Sequence, residues 1–253
     1  MIEITEKKRV VERLQRICAD VFLRVSSHLQ VGQSEFEIAE AFDKAFKEHG
    51  IVKHWYDVPF NVLIGAERFI EGTMTTDYSI KAPVKNIRLQ SGEICYADFA
   101  PMDTKTGIWG DWSATIVFHP RHGLDNEQVA FLQEMRSIQR GIIERISAET
   151  TGRQVIELLQ AVYERQDITI ADVRKNVGHS MHAGLKKDAK RVWLDEENTT
   201  PLGEGIFTFE PGVYKKSADG QRTLVARFED CMYIPKKGFA EILGRKEPVP
   251  FVV

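Results

Sequence analysis

Two glutamates near the end of the sequence lie where paired acidic groups would meet. Glu210 follows a run of β-forming residues, 207–209, and precedes a proline and a glycine that end the run. Glu229 belongs to a second β-forming run, 223–234, which begins after the turn-forming residues 218–220. The two runs predict an antiparallel pair of strands in which the two carboxylates face each other. Carboxylates at that distance repel each other unless a proton or a cation lies between them.

Two aspartates and a histidine also lie beside predicted strands. Asp98 lies near the end of a strand predicted over 94–99, and Asp111 begins a strand predicted over 111–118. The loop between them allows both carboxylates to meet at the mouth of a hairpin, although aspartate beside a turn is common. His179 follows a glycine in a predicted loop, where an isolated histidine is more often a hydrogen-bonding residue than a ligand.

These five side chains are hard donors, and together they indicate a metal site more strongly than each does alone. Four carboxylates carry four negative charges, which two divalent cations would balance. An oxygen-rich set with one imidazole suits Mn, Fe, Co or Zn better than a soft metal. Two such ions can share a bridging hydroxide and lower its pKa toward neutrality, which makes it a nucleophile.

The composition is that of an ordinary globular protein. The chain has 253 residues, 43% of them hydrophobic, and a formal net charge of −3. The sequence has no excess of basic residues, which would favour nucleic acid as a partner. No apolar run reaches the length of a membrane span. The first residues lack the pattern of a signal peptide, and the three cysteines have no CxxC spacing. We therefore predict a cytoplasmic protein with reduced thiols.

The elements that must position the acidic groups occur in two similar series. In the first, apolar residues at helical spacing predict a helix over 5–29. Ser34 and Glu37 form a capping box that opens a second helix, which ends at Gly50. The following segments are predicted as a strand, a turn and a polar surface loop: 58–64, 65–68 and 71–85.

The same order then begins again. Asp125 with Gln128, and Thr151 with Gln154, predict the starts of two further helices, and strand-like segments follow. We predict an α+β fold with two pseudo-symmetric α-α-β halves around a curved antiparallel sheet. The halves are about 1–122 and 123–253. No linker of domain-boundary composition separates them, so residues 1–253 are predicted to form a single domain.

Five segments resemble those of the pita-bread metallopeptidases, the family of methionine aminopeptidases, Xaa-Pro dipeptidases, aminopeptidase P and creatinase. Residues 91–98 and 110–115 resemble the strands that carry the family's two aspartate ligands. Gly178-His179 resembles its glycine–histidine motif, and 208–214 and 227–230 resemble its two glutamate motifs. The resemblance covers nearly the whole chain, at the size of the catalytic domain alone, and implies the pita-bread (creatinase/aminopeptidase) fold.

The resemblance also implies a metal-dependent hydrolase of a peptide or amide C–N bond, similar to an Xaa-Pro dipeptidase or aminopeptidase. It implies a metal-bridging hydroxide, and Glu210 and His179 as catalytic residues, with Glu210 handling the proton of the attacking water. Two divalent ions, Mn, Co, Zn or Fe, would be bound, with manganese a typical choice. A short peptide or small molecule would be the substrate, and a homodimer fits the family. The implied metal ligands are Asp98, Asp111, His179, Glu210 and Glu229.

The sequence also departs from the family pattern. The family's substrate-holding histidine has no clear counterpart in residues 64–76, and Ala114 stands where an arginine is common. Lys186 lies near the place of a second family histidine, and His182 is the nearest histidine to it. We therefore include His182 and Lys186 as candidate substrate-binding residues. Arg227, two residues before Glu229 on the same strand face, is a third.

Because these family histidines are missing, two alternatives stay open. One is a repurposed pita-bread enzyme: a creatinase-like hydrolase, a lyase, or a redox enzyme with a single Fe. The other is a binding module without catalysis, against which the five apparent ligands argue. The basic residues Lys186, Lys187, Lys190 and Arg191 form either a solvated loop or a site for an anionic group of the substrate.

Overall fold

The fold was examined in a computed structural model, which describes residues 2–56, 60–75, 77, 79–119, 126–172, 175–181, 191–244 and 251–253. It is an α+β fold, as predicted. The helices are α1 (Ile4–Ser26), α2 (Glu35–Glu48), α3 (Ala66–Thr73), α4 (Asn126–Ile143) and α5 (Gly152–Tyr163). The strands are β1 (Phe60–Ile64), β2 (Ile94–Phe99), β3 (Trp112–Val117), β4 (Thr169–Ile170), β5 (Gly205–Phe209), β6 (Val213–Lys216), β7 (Thr223–Ala226), β8 (Asp230–Ile234) and β9 (Glu241–Ile242).

The helix starts are largely those that the capping patterns predict. Ser34 accepts a hydrogen bond from the Glu37 backbone N–H, and the Glu37 carboxylate accepts one from the Ser34 N–H. Thr151 and Gln154 form the same reciprocal pair at the start of α5. Gln128 differs from the prediction, because its side chain is buried against β7, and Asp125 lies outside the described residues.

The first half forms an antiparallel sheet with the strand order β1-β2-β3. Its register places Asp98 opposite Asn61 on one side and opposite Ser113 on the other. Residues 65–68, predicted as a turn, are instead the N-cap residue Gly65 and the first three residues of α3. This helix continues into the predicted surface loop, because it can bury Phe69 and Thr73 beneath an otherwise polar surface.

In the second half, the run 223–234 is not one strand. β7 pairs with β6 and β8 pairs with β5, so the run changes sheets over residues 227–229. The pairing of Phe209 with Asp230 sets the register of β5 and β8. Because β5 ends at Phe209 and β8 begins at Asp230, Glu210 and Glu229 lie just outside the ends of this strand pair.

Two contacts join the halves where the ligand-bearing strands meet. Ser113 and Glu229 form an antiparallel bridge, with the Glu229 N–H donating to the Ser113 carbonyl at 3.0 Å. The Thr115 hydroxyl donates to the Arg227 carbonyl at 2.9 Å and accepts from the Arg227 N–H at 3.1 Å. The strands of both halves therefore form a continuous support for residues 227–229.

A hydrophobic core runs through both halves and includes the sheet faces and the inner faces of α1, α2, α4 and α5. Cys18, Cys95 and Cys231 are buried free thiols. Among the described residues, no helix has the length and apolar character needed to cross a membrane.

Candidate metal centre

Three carboxylates converge where the two halves meet. Asp98 projects from β2, Asp111 immediately precedes β3, and Glu229 immediately precedes β8. One oxygen from each lies within 4.8 Å of the others, so a single cation could contact all three. We call these three residues the floor of the site. Asp111 and Glu229 are buried, and Asp98 is partly open to the pocket above.

His179 lies beside this floor because Gly178 allows an unusually close backbone approach. A Cβ atom at Gly178 would lie 2.2 Å from the Thr208 carbonyl oxygen, and φ is +152° there, so a larger residue would not fit. The Thr208 N–H donates to the His179 carbonyl at 2.8 Å, which fixes the segment against β5. The order glycine then histidine therefore has a packing cause.

The ring of His179 is turned so that one nitrogen is available as a ligand. Nδ1 lies 3.2 Å from the Ser180 carbonyl oxygen, which can only accept, so Nδ1 carries the proton. Nε2 then has a free lone pair. It lies 3.7 Å from an oxygen of Asp111 and 3.7 Å from an oxygen of Glu210. Burial lowers the pKa of His179 to about 4, so the ring is neutral and able to coordinate a metal.

Glu210 differs from the floor carboxylates because an arginine pairs with it. Arg227 forms an ion pair with Glu210 inside the pocket. Burial alone would raise the pKa of Glu210. The charge of Arg227, the proximity of His179 and the hydrogen bond from Arg227 outweigh burial and lower the pKa below its usual range. Glu210 therefore differs from the floor carboxylates in the direction of its pKa shift.

Burial and mutual repulsion act in the opposite direction on the floor. Burial is the main cause that raises the pKa of Asp98. Burial, followed by the charges of the neighbouring carboxylates, raises the pKa of Asp111 and of Glu229 well above the usual range. Nearby positive charges, that of Arg227 among them, lower these pKa values but offset only part of the shift.

The donor set fits divalent cations. The Oε1 atom of Glu229 is buried without a hydrogen-bond partner among the described residues, which is costly unless another group contacts it. Carboxylate oxygens with one imidazole nitrogen are the ligands that Mn, Fe, Co and Zn accept. The free lone pair of His179 and the clustered carboxylates of the floor both favour a divalent cation of this class.

Three buried amides, which sequence reasoning missed, hold the backbone or side chains of the candidate ligands. Asn61 donates to the Asp98 carboxylate at 3.2 Å. Gln15 donates to the Asp111 carbonyl at 2.7 Å. Gln139 donates at 3.0 Å to the carbonyls of the residues that precede Glu210 and Glu229, Phe209 and Phe228. Gln15 and Gln139 lie on the otherwise apolar faces of α1 and α4. A glutamine at such a position was the sequence signal that could have identified them.

A second, cationic region lies above the floor. Lys81 and Arg191 line the pocket, and Trp55, Trp109 and Trp193 surround the Arg191 guanidinium. We call Lys81, Arg191 and these tryptophans the rim. Burial, followed by the nearby Arg227 charge, lowers the pKa of Lys81. Lys81 is a pocket cation upstream of Asp98, in a segment that the sequence analysis assigned to a surface loop.

Other candidates from the sequence have different positions. Arg227 lies in the pocket and contacts Glu210, as described above. Trp112, which follows Asp111, is packed in the core against Phe22 and Phe99. His182 and Lys186, with Lys187 and Lys190, lie outside the described residues.

Sequence and structure comparisons bear on this site. The sequence model of metallopeptidase family M24 matches residues 9–236. The chain belongs to metallopeptidase family M24. This match confirms the predicted family. A search of curated protein sequences found no match.

Solved structures share the fold of this M24 chain. The X-Pro aminopeptidase from Thermotoga maritima has a TM-score of 0.74 at 18% identity, with 100% of this chain and 65% of that chain covered. The dipeptidase PepE from Mycobacterium ulcerans has a TM-score of 0.75 at 21% identity, with 100% and 62% covered. The chain thus spans less than two thirds of either protein.

A methionine aminopeptidase from Thermotoga maritima is similar over nearly its whole length. Its TM-score is 0.70 at 18% identity, with 96% of this chain and 99% of that chain covered. At these identities the structures show a shared fold and leave the reaction open. They confirm the pita-bread fold that the sequence motifs implied.

Proposed function

We propose that this M24 chain is a metal-dependent hydrolase of a peptide or amide C–N bond in short substrates. The proposal follows from one observation: Asp98, Asp111, His179 and Glu210 line one pocket, and Glu229 lies within 4.8 Å of the two aspartates. The family supports it, and so do structural neighbours named as an X-Pro aminopeptidase and dipeptidases. We infer from these neighbours that Xaa-Pro dipeptides are the first substrates to test.

The residues that would hold two divalent ions are Asp98, Asp111, His179, Glu210 and Glu229. When bound, such ions supply the Lewis acidity that activates water and polarises the bond to be cleaved. The protein contributes the orientation of these ligands. Asn61 and Gln139 restrict the positions of three of them, because their amides hold the Asp98 carboxylate and the backbone before each glutamate.

Glu210 is the residue we assign to proton transfer. It lies beside both His179 and Arg227, at the side of the floor that faces the pocket. Arg227 orients its carboxylate, so one oxygen is held while the other faces the centre of the site. A carboxylate in this position can accept a proton from the attacking water and return it to the leaving nitrogen.

The alternative is the same metal-binding fold with other chemistry. The cations Lys81, Arg191 and Arg227 line the pocket together with His179. Several cations beside the candidate ligands would suit an anionic substrate, which is compatible with a creatinase-like hydrolase, a lyase or a single-iron redox enzyme.

The first experiment measures bound metal. The protein would be purified without a chelating tag, reconstituted with Mn, Co, Zn or Fe(II), and analysed for metal content beside an Asp98→Ala/Glu229→Ala variant. We expect about two equivalents in the wild type and loss of metal in the variant, by the ligand requirements of such sites. Cleavage of alanyl-proline would be assayed on the same samples.

A matched control replaces two exposed glutamates outside the site, Glu40→Ala/Glu157→Ala, and should keep both metal and activity. One equivalent of iron without peptide cleavage would favour the alternative. No metal in the wild type after reconstitution would contradict the assignment of the site. The predicted homodimer and cytoplasmic location remain predictions, which size-exclusion chromatography and cell fractionation can test.

A further inference from the structure

A buried tyrosine lies on the same face of β2 as the candidate ligand Asp98. Tyr96 precedes Asp98 by two residues, and side chains two apart on a strand point to the same side of the sheet. The Tyr96 hydroxyl donates a hydrogen bond to Oδ2 of Asp98 at 3.2 Å. Only 1% of Tyr96 is exposed, and its ring belongs to the hydrophobic core. The phenol therefore contacts this ligand from within the core of the protein.

A second donor contacts the same oxygen. Asn61 lies opposite Asp98 in the pairing of β1 with β2, and its amide donates to Oδ2 at 3.2 Å. Each carboxylate oxygen has two lone-pair positions, so the two hydrogen bonds can occupy both of those on Oδ2. Oδ1 accepts no hydrogen bond from the residues that the structure describes. The two oxygens of Asp98 therefore differ, because the protein holds Oδ2 and leaves Oδ1 for another partner.

The surroundings of Tyr96 restrict the direction of its hydroxyl. β2 is the central strand of its sheet, so the backbone of Tyr96 is paired on both sides. Phe69 of α3 packs edge-on against the tyrosine ring, with centroids 5.4 Å apart and planes at 90°. The Arg227 guanidinium carbon lies 5.8 Å from the centre of the same ring, where the aromatic face attracts a cation. These contacts keep the hydroxyl directed at Asp98.

From these contacts we infer that Tyr96 is a positioning residue that makes Asp98 a one-oxygen metal ligand. With Oδ2 held by Tyr96 and Asn61, Oδ1 is the oxygen left for a divalent ion. A carboxylate that binds through one oxygen leaves one more position on the ion for water or substrate than a carboxylate that binds through both. The inference rests on the proposed function, because it concerns how the same metal centre holds its ion.

The test removes the hydroxyl and follows the metal directly. Tyr96→Phe keeps the ring but lacks the donor, and Asn61→Leu removes the other donor to Oδ2. Tyr233→Phe is the matched control, because the Tyr233 hydroxyl also donates to a carboxylate, that of Glu204 at 2.7 Å, in an exposed part of the protein. Thermal unfolding followed by circular dichroism would establish that each variant is folded.

Each protein would be loaded with one equivalent of Co(II), whose visible absorption weakens as the number of its ligands increases. Calorimetry would measure the affinity for the same ion. We expect Tyr96→Phe to bind Co(II) about 10- to 100-fold more weakly than the wild type, as is usual when an outer partner of a ligand is lost. Its visible absorption should also weaken, because the freed Oδ2 can join Oδ1 on the ion.

The other variants sharpen this expectation. Asn61→Leu should change affinity and absorption in the same direction as Tyr96→Phe, and Tyr233→Phe should match the wild type. A purely structural role for Tyr96 would lower the affinity without changing the absorption, and that outcome would reject one-oxygen ligation. Wild-type affinity and absorption in Tyr96→Phe would also overturn the inference.

The inference and the proposed function fail in different measurements. If the wild type binds metal but does not cleave alanyl-proline, the proposed hydrolase is wrong, whereas the expected changes in Tyr96→Phe still support the positioning role. If the wild type cleaves the peptide and Tyr96→Phe keeps the wild-type absorption and affinity, the hydrolase stands and the inference is rejected. A wild type that binds no metal would reject both, because the site assignment itself would be wrong.

Discussion

The floor and the rim of the site are built in different ways. The floor carboxylates lie on or directly beside paired strands, and buried amides from α1, β1 and α4 restrain the ligand-bearing backbone and the Asp98 side chain. The rim consists of side chains from irregular segments, and cation–π contacts hold Arg191 in position. The floor depends on hydrogen bonds whose loss leaves buried polar groups, whereas the rim depends on weaker and more adaptable contacts.

This difference separates two requirements of a metal site. Ligand distances must be held closely for the ions to bind, and rigid paired strands provide that precision. Substrate groups vary between related enzymes, and loop residues can change without disturbing the ligands. We therefore expect floor substitutions to affect stability and metal affinity together, and rim substitutions to affect substrate discrimination.

The largest expected effect comes from breaking the ion pair beneath the floor. Arg136 donates to both oxygens of Asp230, at 2.6 and 2.9 Å, and Asp230 directly follows Glu229. Arg136→Met would leave a buried carboxylate without its partner, at a cost of about 3–5 kcal/mol in the free energy of unfolding. Urea denaturation measures this loss.

The control for that experiment removes both charges. Arg136→Met/Asp230→Leu should recover part of the lost stability, because no unpaired charge remains buried. A single variant that loses less than about 1 kcal/mol would show that the ion pair does not support the floor.

The next largest effect is expected at Gln139, whose amide contacts the backbone before both Glu210 and Glu229. Gln139→Met removes the donor shared by the Phe209 and Phe228 carbonyls, and should cost about 2–3 kcal/mol of stability. Metal affinity, measured by calorimetry, should fall by about 10- to 100-fold, as is typical when the support of a ligand is lost.

Gln128 provides a matched control on the same helix. Its side chain donates to the Val225 carbonyl at 2.8 Å and accepts from the Val225 N–H at 3.1 Å, away from the floor. Gln128→Met should lower stability but leave metal affinity unchanged. Equal loss of affinity in both variants would mean that general loosening of α4, rather than the Gln139 contacts, affects the site.

A smaller effect concerns the stability of the protein at acidic pH, through a histidine next to the rim residue Trp55. His54 precedes Trp55, its ring packs against Phe46 and Phe60, and its ring nitrogens have no hydrogen-bond partner in the described parts of the chain. Burial lowers the pKa of His54 to about 4 from an ordinary value of 6.5. The folded state therefore binds this proton less readily than the unfolded state.

The sign of the pH effect follows from that difference. The contribution of His54 to stability is present above about pH 6.5 and is lost as pH falls toward 4. Between pH 7 and pH 5, the wild type should lose about 1–2 kcal/mol more than His54→Phe. Thermal unfolding at both pH values measures this, with exposed His49→Phe as the control. An identical pH response in wild type and His54→Phe would contradict the prediction.

The smallest effect weakens the tryptophan ring without removing the arginine. Trp193→Phe keeps an aromatic face beside Arg191 but reduces the cation–π contact, which is worth about 0.5–1 kcal/mol at such sites. The free energy of unfolding, measured by urea denaturation, should fall by about 0.5–1 kcal/mol. An unchanged stability would show that the contact between Trp193 and Arg191 does not support the rim.

Much of the fold could be predicted where the signals are local. The capping boxes at Ser34 and Thr151 are made within four residues, so composition was sufficient to place these helix starts. α3 was missed because it is short and mostly polar, and it depends on burying Phe69 against other elements. The run 223–234 has uniform β propensity, so the change of sheet at residues 227–229 had no local signal.

The types of the site residues were readable from the sequence, whereas their environments were not. Acidic side chains beside β-forming runs indicated a metal site without any knowledge of packing. Arg227 forms its ion pair with Glu210, and no arginine or lysine of the described residues forms one with Asp98, Asp111 or Glu229; this difference depends on distances between segments far apart in the chain. The sequence analysis grouped all four carboxylates together, and tertiary structure separated them.

The sequence by itself determined the starts of α2 and α5 and the kinds of ligand, because these follow from neighbouring residues and from side-chain chemistry. Tertiary structure decided which amides hold the floor, which cations reach the rim, and that Arg191 is enclosed by three tryptophans. Those contacts join residues far apart in the sequence, and their energies arise from burial and close approach after the halves have packed.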